Sequence, residues 1–142
     1  MEKFELFKHG SDIGVRGRGS SLNTAFEQAA LALTNVITAP ILVKPLKERT
    51  IVIDAPNVDI LLIDWLNAII YEMATAKMLF SEYKLTIESR ENGLHLQANL
   101  KGENIDRARH QPAVEPKGAT FAELKVEKLS EDHWQAQCII DV

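Results

Sequence analysis

Residues Asn57–Phe80, NVDILLIDWLNAIIYEMATAKMLF, decide the fold predicted for this chain. The stretch is longer than strands usually are, and apolar residues lie on every side of its helical wheel, which predicts a buried helix. Its charged residues are too frequent for a membrane span. Pro56 precedes it, and Asn57 or Asp59 can cap its first turn. The rest of the chain is therefore expected to pack around this helix.

Three polar residues interrupt the apolar surface of the predicted helix. Asp64, Asn67 and Tyr71 are spaced by three and four positions, so they form one narrow stripe. An ionised carboxylate is rarely buried without a partner. Asp64 is therefore either satisfied by hydrogen bonds within the fold or directed at a functional site.

Composition describes an ordinary globular protein. The chain has 142 residues, 46% of them hydrophobic and 25% charged, which predicts one domain spanning residues 1–142 with a sizeable core. The net charge of -4 argues against a dedicated nucleic-acid-binding protein. The one cysteine, Cys138, cannot form an internal disulfide, and the N-terminus lacks the apolar core of a signal peptide. A cytoplasmic protein that does not contact a membrane is expected.

Strands and one further helix are predicted before the central helix, from alternation of apolar residues and from capping residues. These elements are a strand from Phe4 to about His9, a strand from Ile13 to about Gly19, a helix capped by Ser20 or Ser21 and ended by Pro40, and a strand from Arg49 to Ala55.

Alternating segments after the central helix predict an antiparallel arrangement, with Glu91-Asn92-Gly93 as a hairpin turn. The elements are strands Tyr83–Ser89 and Leu94–Leu100, a long polar loop Gly102–Lys117, and strands Phe121–Val126 and His133–Val142. The expected fold class is therefore α+β, a single domain with a largely antiparallel sheet packed with two main helices.

Two acidic positions suggest a cation site. Asp12 follows a predicted turn in His9–Gly14 (HGSDIG), where it either hydrogen-bonds its own backbone or ligates a hard cation. The chain ends in Asp141-Val142, which places a side-chain carboxylate next to the terminal one. Oxygen ligands favour Ca²⁺ or Mg²⁺ over zinc. A solvated chain end is the alternative interpretation.

The polar loop carries several charged residues. Arg109, His110 and Lys117 could clamp a phosphate or an acidic partner, or could lie on a solvated loop. His110 is a candidate acid or base. The sequence shows neither a recognisable nucleophile–base pair nor a His/Cys metal quartet, so the residues by themselves do not name a reaction.

Four stretches in this order resemble the archease family. They are 9–14 (HGSDIG), 61–67 (LLIDWLN), 102–117 and 134–142. The resemblance covers essentially the whole chain. It implies a non-catalytic protein cofactor of an RtcB-type RNA ligase, which promotes guanylylation of the ligase histidine and multiple turnover in tRNA splicing and RNA repair. RNA would be engaged through the ligase.

The resemblance also implies site residues. A divalent cation, usually described as calcium in this family, would be held by Asp12, Asp141 and the Val142 carboxyl or carbonyl group, with Asp64 and Lys117 as further members of the site. After Lys117 the family tends to have tyrosine and histidine where this chain has Phe121 and Ala122.

Two other functions are compatible with the residues alone. One is a small metal-dependent phosphoester hydrolase, with a cation held by Asp12 and Asp141 and with His110 as the base. The other is a chaperone-like scaffold protein that uses the exposed polar loop to bind clients.

Overall fold

Seven strands and three helices make up the protein, and the computed structural model describes all 142 residues. The elements are β1 (Lys3–His9), β2 (Asp12–Gly19), α1 (Leu22–Ile37), β3 (Lys47–Ala55), α2 (Val58–Ala76), β4 (Met78–Arg90), β5 (Gly93–Asn104), α3 (Arg107–His110), β6 (Gly118–Ser130) and β7 (His133–Asp141). A 3-10 turn, Pro40–Leu42, follows α1.

The strands form two antiparallel sheets, which confirms the α+β class but divides the predicted single sheet into two. One sheet has the order β1-β2-β7-β6 and the other β3-β5-β4. Both α1 and α2 contact strands of both sheets, so the helices join them. Thirty buried apolar residues form one continuous core around the two helices.

Helix α1 lies very close to strand β2 because a glycine permits it. Ser21 caps the helix, its hydroxyl accepting from the Thr24 backbone N–H at 3.1 Å. At Gly17 of β2, a Cβ atom would lie 2.2 Å from the Ala25 carbonyl oxygen and from the Ala29 nitrogen of α1. The backbone contact fixes how α1 crosses the four-stranded sheet.

Helix α2 begins where predicted and ends earlier. The Asn57 side chain accepts from the Ile60 N–H at 3.0 Å, which confirms the predicted cap. The helix stops at Ala76, and Lys77 takes a left-handed conformation with φ of 55°. The predicted continuation to Phe80 is wrong, because Met78–Phe80 pair with β5 as a buried strand.

Side chains of α1 cover the free edge of β4. The backbone N–H of Leu85 donates to Glu27 Oε2 at 2.9 Å, and that of Ile87 donates to Asn23 Oδ1 at 3.2 Å. Burial is the main cause that raises the pKa of the Glu27 carboxyl. These bonds satisfy edge donors that would otherwise be open to pairing with another chain.

The predicted polar loop is shorter than expected. Strand β5 extends to Asn104, and α3 then forms one turn from Arg107 to His110. Only residues 111–117 connect α3 to β6, and the Ala113 N–H donates to the Ile37 carbonyl at the end of α1. This connection carries the chain to the edge of the sheet where the chain also ends.

Candidate functional site at the chain end

The first residue of β2 and the last residues of β7 meet at one edge of the four-stranded sheet. The two strands are antiparallel, with Ile13 opposite Ile140, so the next positions outward are Asp12 and Asp141. Strand β6 adds Gly118, which is opposite Asp141. The topology therefore brings together residues from both ends of the chain.

Hydrogen bonds hold this edge in place. Asp12 Oδ1 accepts from the Val142 backbone N–H at 3.2 Å, and the Lys117 N–H donates to the Asp141 carbonyl oxygen at 2.8 Å. Asp12 and Val142 are half-buried, whereas Lys117 and Asp141 are exposed. The backbone of the last two residues is thus anchored while the Asp141 carboxylate faces solvent.

Asn67 is the residue of this edge that the sequence did not single out as functional. Its Oδ1 accepts from the Ala119 N–H at 2.8 Å, so α2 fixes the start of β6 just after Lys117. The only signal in the sequence was the polar stripe shared with Asp64 and Tyr71. Asp64 lies one turn before Asn67 on α2 and is half-buried, whereas Tyr71 is exposed. We call Asp12, Asn67, Lys117, Asp141 and Val142 the chain-end cluster.

Arg109 and His110 belong to a different set of contacts, centred on Glu103. Arg109 Nη2 donates to Glu103 Oε1 at 2.6 Å, and His110 Nε2 lies 3.0 Å from Glu103 Oε2. The Lys44 N–H donates to the same Oε2 at 2.8 Å. The hydrogen bond from Arg109 is the largest cause that lowers the Glu103 pKa to about 2. We call Glu103, Arg109 and His110 the Glu103 network.

The contacts of His110 define a structural role. The residue is only 1% exposed, and its Nδ1 accepts from the Asp106 backbone N–H at 2.9 Å. In the neutral ring Nε2 must then carry the proton and donate to Glu103. Both ring nitrogens are engaged in hydrogen bonds. His110 is therefore not available as the general base that the hydrolase interpretation required.

Phe121 and Ala122, which replace the tyrosine and histidine usual in the family that the sequence resembles, lie at an irregularity in β6. Pairing with β7 shifts between Thr120 and Lys125, and Glu123 takes a φ of 53°. The buried side chain of Gln137 stabilises the bulge by donating to the Glu123 carbonyl at 2.9 Å. Phe121 is 64% exposed, so its ring faces solvent. In sequence it follows Lys117 of the chain-end cluster by four residues.

The carboxylate oxygens at the chain end are the type of ligand that hard cations such as Ca²⁺ prefer. Asp12 keeps one carboxylate oxygen beyond the one that binds Val142, and Asp141 adds an exposed carboxylate. No group of three or more His, Cys, Asp or Glu side chains is arranged to hold a metal ion. A complete ligand set at this edge would therefore need the terminal carboxyl or carbonyl group of Val142.

Comparisons with known proteins agree with this architecture. The model of the archease protein family matches residues 4–142. Protein archease of Pyrococcus abyssi is 33% identical and that of Thermococcus kodakarensis 35%, each over 142 residues covering all of both chains.

No helix of the structure has the length and apolar character needed to cross a membrane.

Solved structures show the same fold. The solution structure of Methanobacterium thermoautotrophicum protein 1598 is 32% identical, with a TM-score of 0.85 over 98% of each chain. A Thermotoga maritima crystal structure described as an archease, possible chaperone, matches 97% of this chain and 96% of its own at 17% identity and a TM-score of 0.59, which shows the fold alone. The family match over nearly the whole chain and the end-to-end relatives above 30% identity together establish that this chain belongs to the archease family.

Proposed function

We propose that this protein is a non-catalytic activator of an RtcB-type RNA ligase. It would promote guanylylation of the ligase histidine and repeated turnover in tRNA splicing and RNA repair, acting in the cytoplasm and meeting RNA through the ligase. Membership of the archease family supports the proposal. The observation that carries it is the anchored, acidic chain end, where Asp12 binds the Val142 backbone while Asp141 stays exposed.

The chain-end cluster has the properties of a preorganised contact surface. The Lys117–Asp141 and Asn67–Ala119 hydrogen bonds hold the end of β7, which carries Asp141, and the start of β6, which follows Lys117. A fixed surface loses little conformational entropy when it binds, which improves affinity. The exposed carboxylate at the end of β7 and the exposed ammonium group just before β6 can contact the charged groups that surround a nucleotide-binding site.

A divalent cation, calcium by preference, is part of the proposal. Asp12, Asp141 and the carboxyl or carbonyl group of Val142 would hold it, with Asp64 and Lys117 as further members of the site. The ion would supply positive charge that offsets repulsion between these carboxylates and stabilises the last strand.

Multiple-turnover ligation by an RtcB-type ligase, with GTP and metal, tests the proposed function. We expect more product per ligase when this protein is present. Asp141→Asn and Lys117→Ala should reduce that gain at least about ten-fold, equivalent to roughly 1.4 kcal/mol. Asp132→Asn and Lys125→Ala are matched controls, because both residues are exposed and outside the cluster. Equal product with and without this protein would reject the proposal.

A chaperone-like role is the second candidate, supported by the description of the Thermotoga maritima structure as a possible chaperone. In that case the protein would suppress aggregation of a heat-denatured client and leave the ligation rate unchanged. Light scattering of a denatured client, measured beside the ligation assay, separates the two roles.

A further inference from the structure

A second surface, away from the chain-end cluster in sequence, combines exposed aliphatic groups with unpaired cations. Ile41 is 92% exposed, Leu46 70% and Leu42 43%. We call these three residues the aliphatic patch. Large apolar side chains exposed together, rather than singly, are typical of interaction sites.

The aliphatic patch is held rigidly. Val43 lies between its members and is buried in the core. The Leu46 N–H donates to the Gly102 carbonyl at 2.9 Å, and Arg109 Nη1 donates to the Leu42 carbonyl at 2.8 Å. Pro40 and Pro45 restrict the backbone further. The exposure of these side chains is therefore a fixed feature of the fold.

A groove of about 680 Å³ adjoins the patch, with Leu46 in its wall. Its lining includes the cations Lys47, Arg107 and Arg109 and the carboxylates Glu103 and Asp106. Both carboxylates face Arg109, at 2.6 and 3.9 Å.

Two cations of the groove therefore lack a carboxylate partner. Lys47 donates to the neutral amide of Asn104 at 2.9 Å, and Arg107 is exposed and outside every ion pair. Lys44, next to the patch, is also exposed. This local excess of positive charge stands out in a chain of net charge -4.

We infer that the aliphatic patch and its adjoining groove form a docking surface for an acidic, aliphatic segment of a partner protein. Charge complementarity selects the occupant: leucine-like side chains would cover Ile41 and Leu46 while carboxylates pair with Lys47 and Arg107. Single-stranded RNA is disfavoured because the surface offers no aromatic ring on which a base could stack. The inference goes beyond ligase activation and uses none of the chain-end cluster.

Fluorescence anisotropy with two labelled peptides tests this surface. One peptide is built from leucine and glutamate, and the other has lysine in place of every glutamate. We expect the full-length protein to bind the glutamate peptide, more weakly as salt is raised, and not to bind the lysine peptide. The double variants Ile41→Ser/Leu46→Ser and Lys47→Glu/Arg107→Glu should each weaken binding at least about ten-fold.

Matched controls are Val52→Ser and Lys125→Glu, which change an exposed aliphatic and an exposed cation elsewhere. Their binding should equal that of the parent protein. Three results would each overturn the inference: no binding of the glutamate peptide, equal binding by all variants, or tighter binding of labelled single-stranded RNA at the same residues. Sedimentation showing self-association that Ile41→Ser/Leu46→Ser abolishes would overturn it too, since a second copy would then be the occupant.

Discussion

Asp12 Oδ1 accepts a hydrogen bond from the backbone N–H of Val142 at 3.2 Å, joining residues 130 positions apart. The bond attaches the end of the chain to the start of β2, and the neighbouring Lys117–Asp141 bond attaches it to β6. The last residues, which fray in most proteins, are here part of the sheet edge.

Asp12→Ala should release the chain end without unfolding the protein. Loss of one charged acceptor is expected to cost about 1 kcal/mol and to speed hydrogen exchange of the Val142 amide. Amide exchange followed by NMR and urea unfolding measure the two effects. Asp132→Ala, in the exposed turn between β6 and β7, is the control. An unchanged Val142 exchange rate would show that the hydrogen bond does not order the chain end.

Calcium should raise the melting temperature of the parent protein and not that of Asp12→Asn/Asp141→Asn. An ion that binds only the folded state stabilises it by about 2.7 kcal/mol at a hundred times its dissociation constant, which raises the melting temperature of a chain of 142 residues by roughly 9 °C. Calorimetry with calcium and with a chelator makes the measurement, and Asp54→Asn/Asp132→Asn is the control. An unchanged melting temperature of the parent protein on adding calcium would reject the cation site. The ligation assay would still test the activator role, because that assay does not depend on this result.

The Glu103 network should make the free energy of unfolding depend on pH in the acid range. The folded pKa of Glu103, about 2, lies below its ordinary value of 4.5, so its stabilisation is present above about pH 4.5 and is lost as the pH falls towards 2. The loss should be on the order of 2–3 kcal/mol in the free energy of unfolding.

Glu103→Gln tests that assignment. The variant should be less stable at neutral pH, since an amide cannot accept from Arg109, His110 and the Lys44 N–H together, and its stability should fall less between pH 5 and about 2. Urea titrations at several pH values measure both effects. Glu88→Gln is the control, because Arg90 also lowers the Glu88 pKa but the group is exposed. Parallel pH profiles for Glu103→Gln and parent would contradict the prediction.

Gly17→Ala should be far more destabilising than Gly10→Ala. A methyl group at Gly17 would meet the backbone of α1 at 2.2 Å, so the helix must move, at a cost of about 3 kcal/mol or more. Gly10 has open space around it and a φ of 60°, so alanine there costs only about 1 kcal/mol of backbone strain. Thermal unfolding of the two variants compares these costs. Similar melting temperatures would mean that α1 does not rest on β2 as described.

Much of the fold follows from local patterns. Caps at Ser20 or Ser21 and at Asn57 or Asp59, a hairpin turn at Glu91-Asn92-Gly93 and the class α+β were predicted from residue type and periodicity, because each depends on neighbours in sequence. The structure selects Ser21 and Asn57 as the caps and places Gly93 at the start of β5. The run Met78–Phe80 was not, since a short buried apolar run suits a helix or a strand equally. Its pairing with β5 decided the outcome.

The candidate site was predictable only as separate pieces. Asp12 and Asp141 were selected by residue type as candidate cation ligands, the family resemblance added Lys117 to them, and the structure places all three at one sheet edge. Arg109 and His110, selected with Lys117 from the polar loop, bind Glu103 instead. The residues next to an arginine in sequence do not show whether its guanidinium binds a buried carboxylate of the same fold or is free to bind a ligand.

The sequence by itself determined where the two main helices begin, which faces are apolar, and that acidic residues occur near both ends of the chain. These properties depend on local backbone preference and on hydrophobic periodicity. Only the tertiary structure decided that the strands divide into two sheets, that His110 is buried with both nitrogens engaged, and that Asp12 meets Val142. Those outcomes depend on strand register and on packing between distant segments, because a hydrogen bond across 130 residues has no signature in either segment alone.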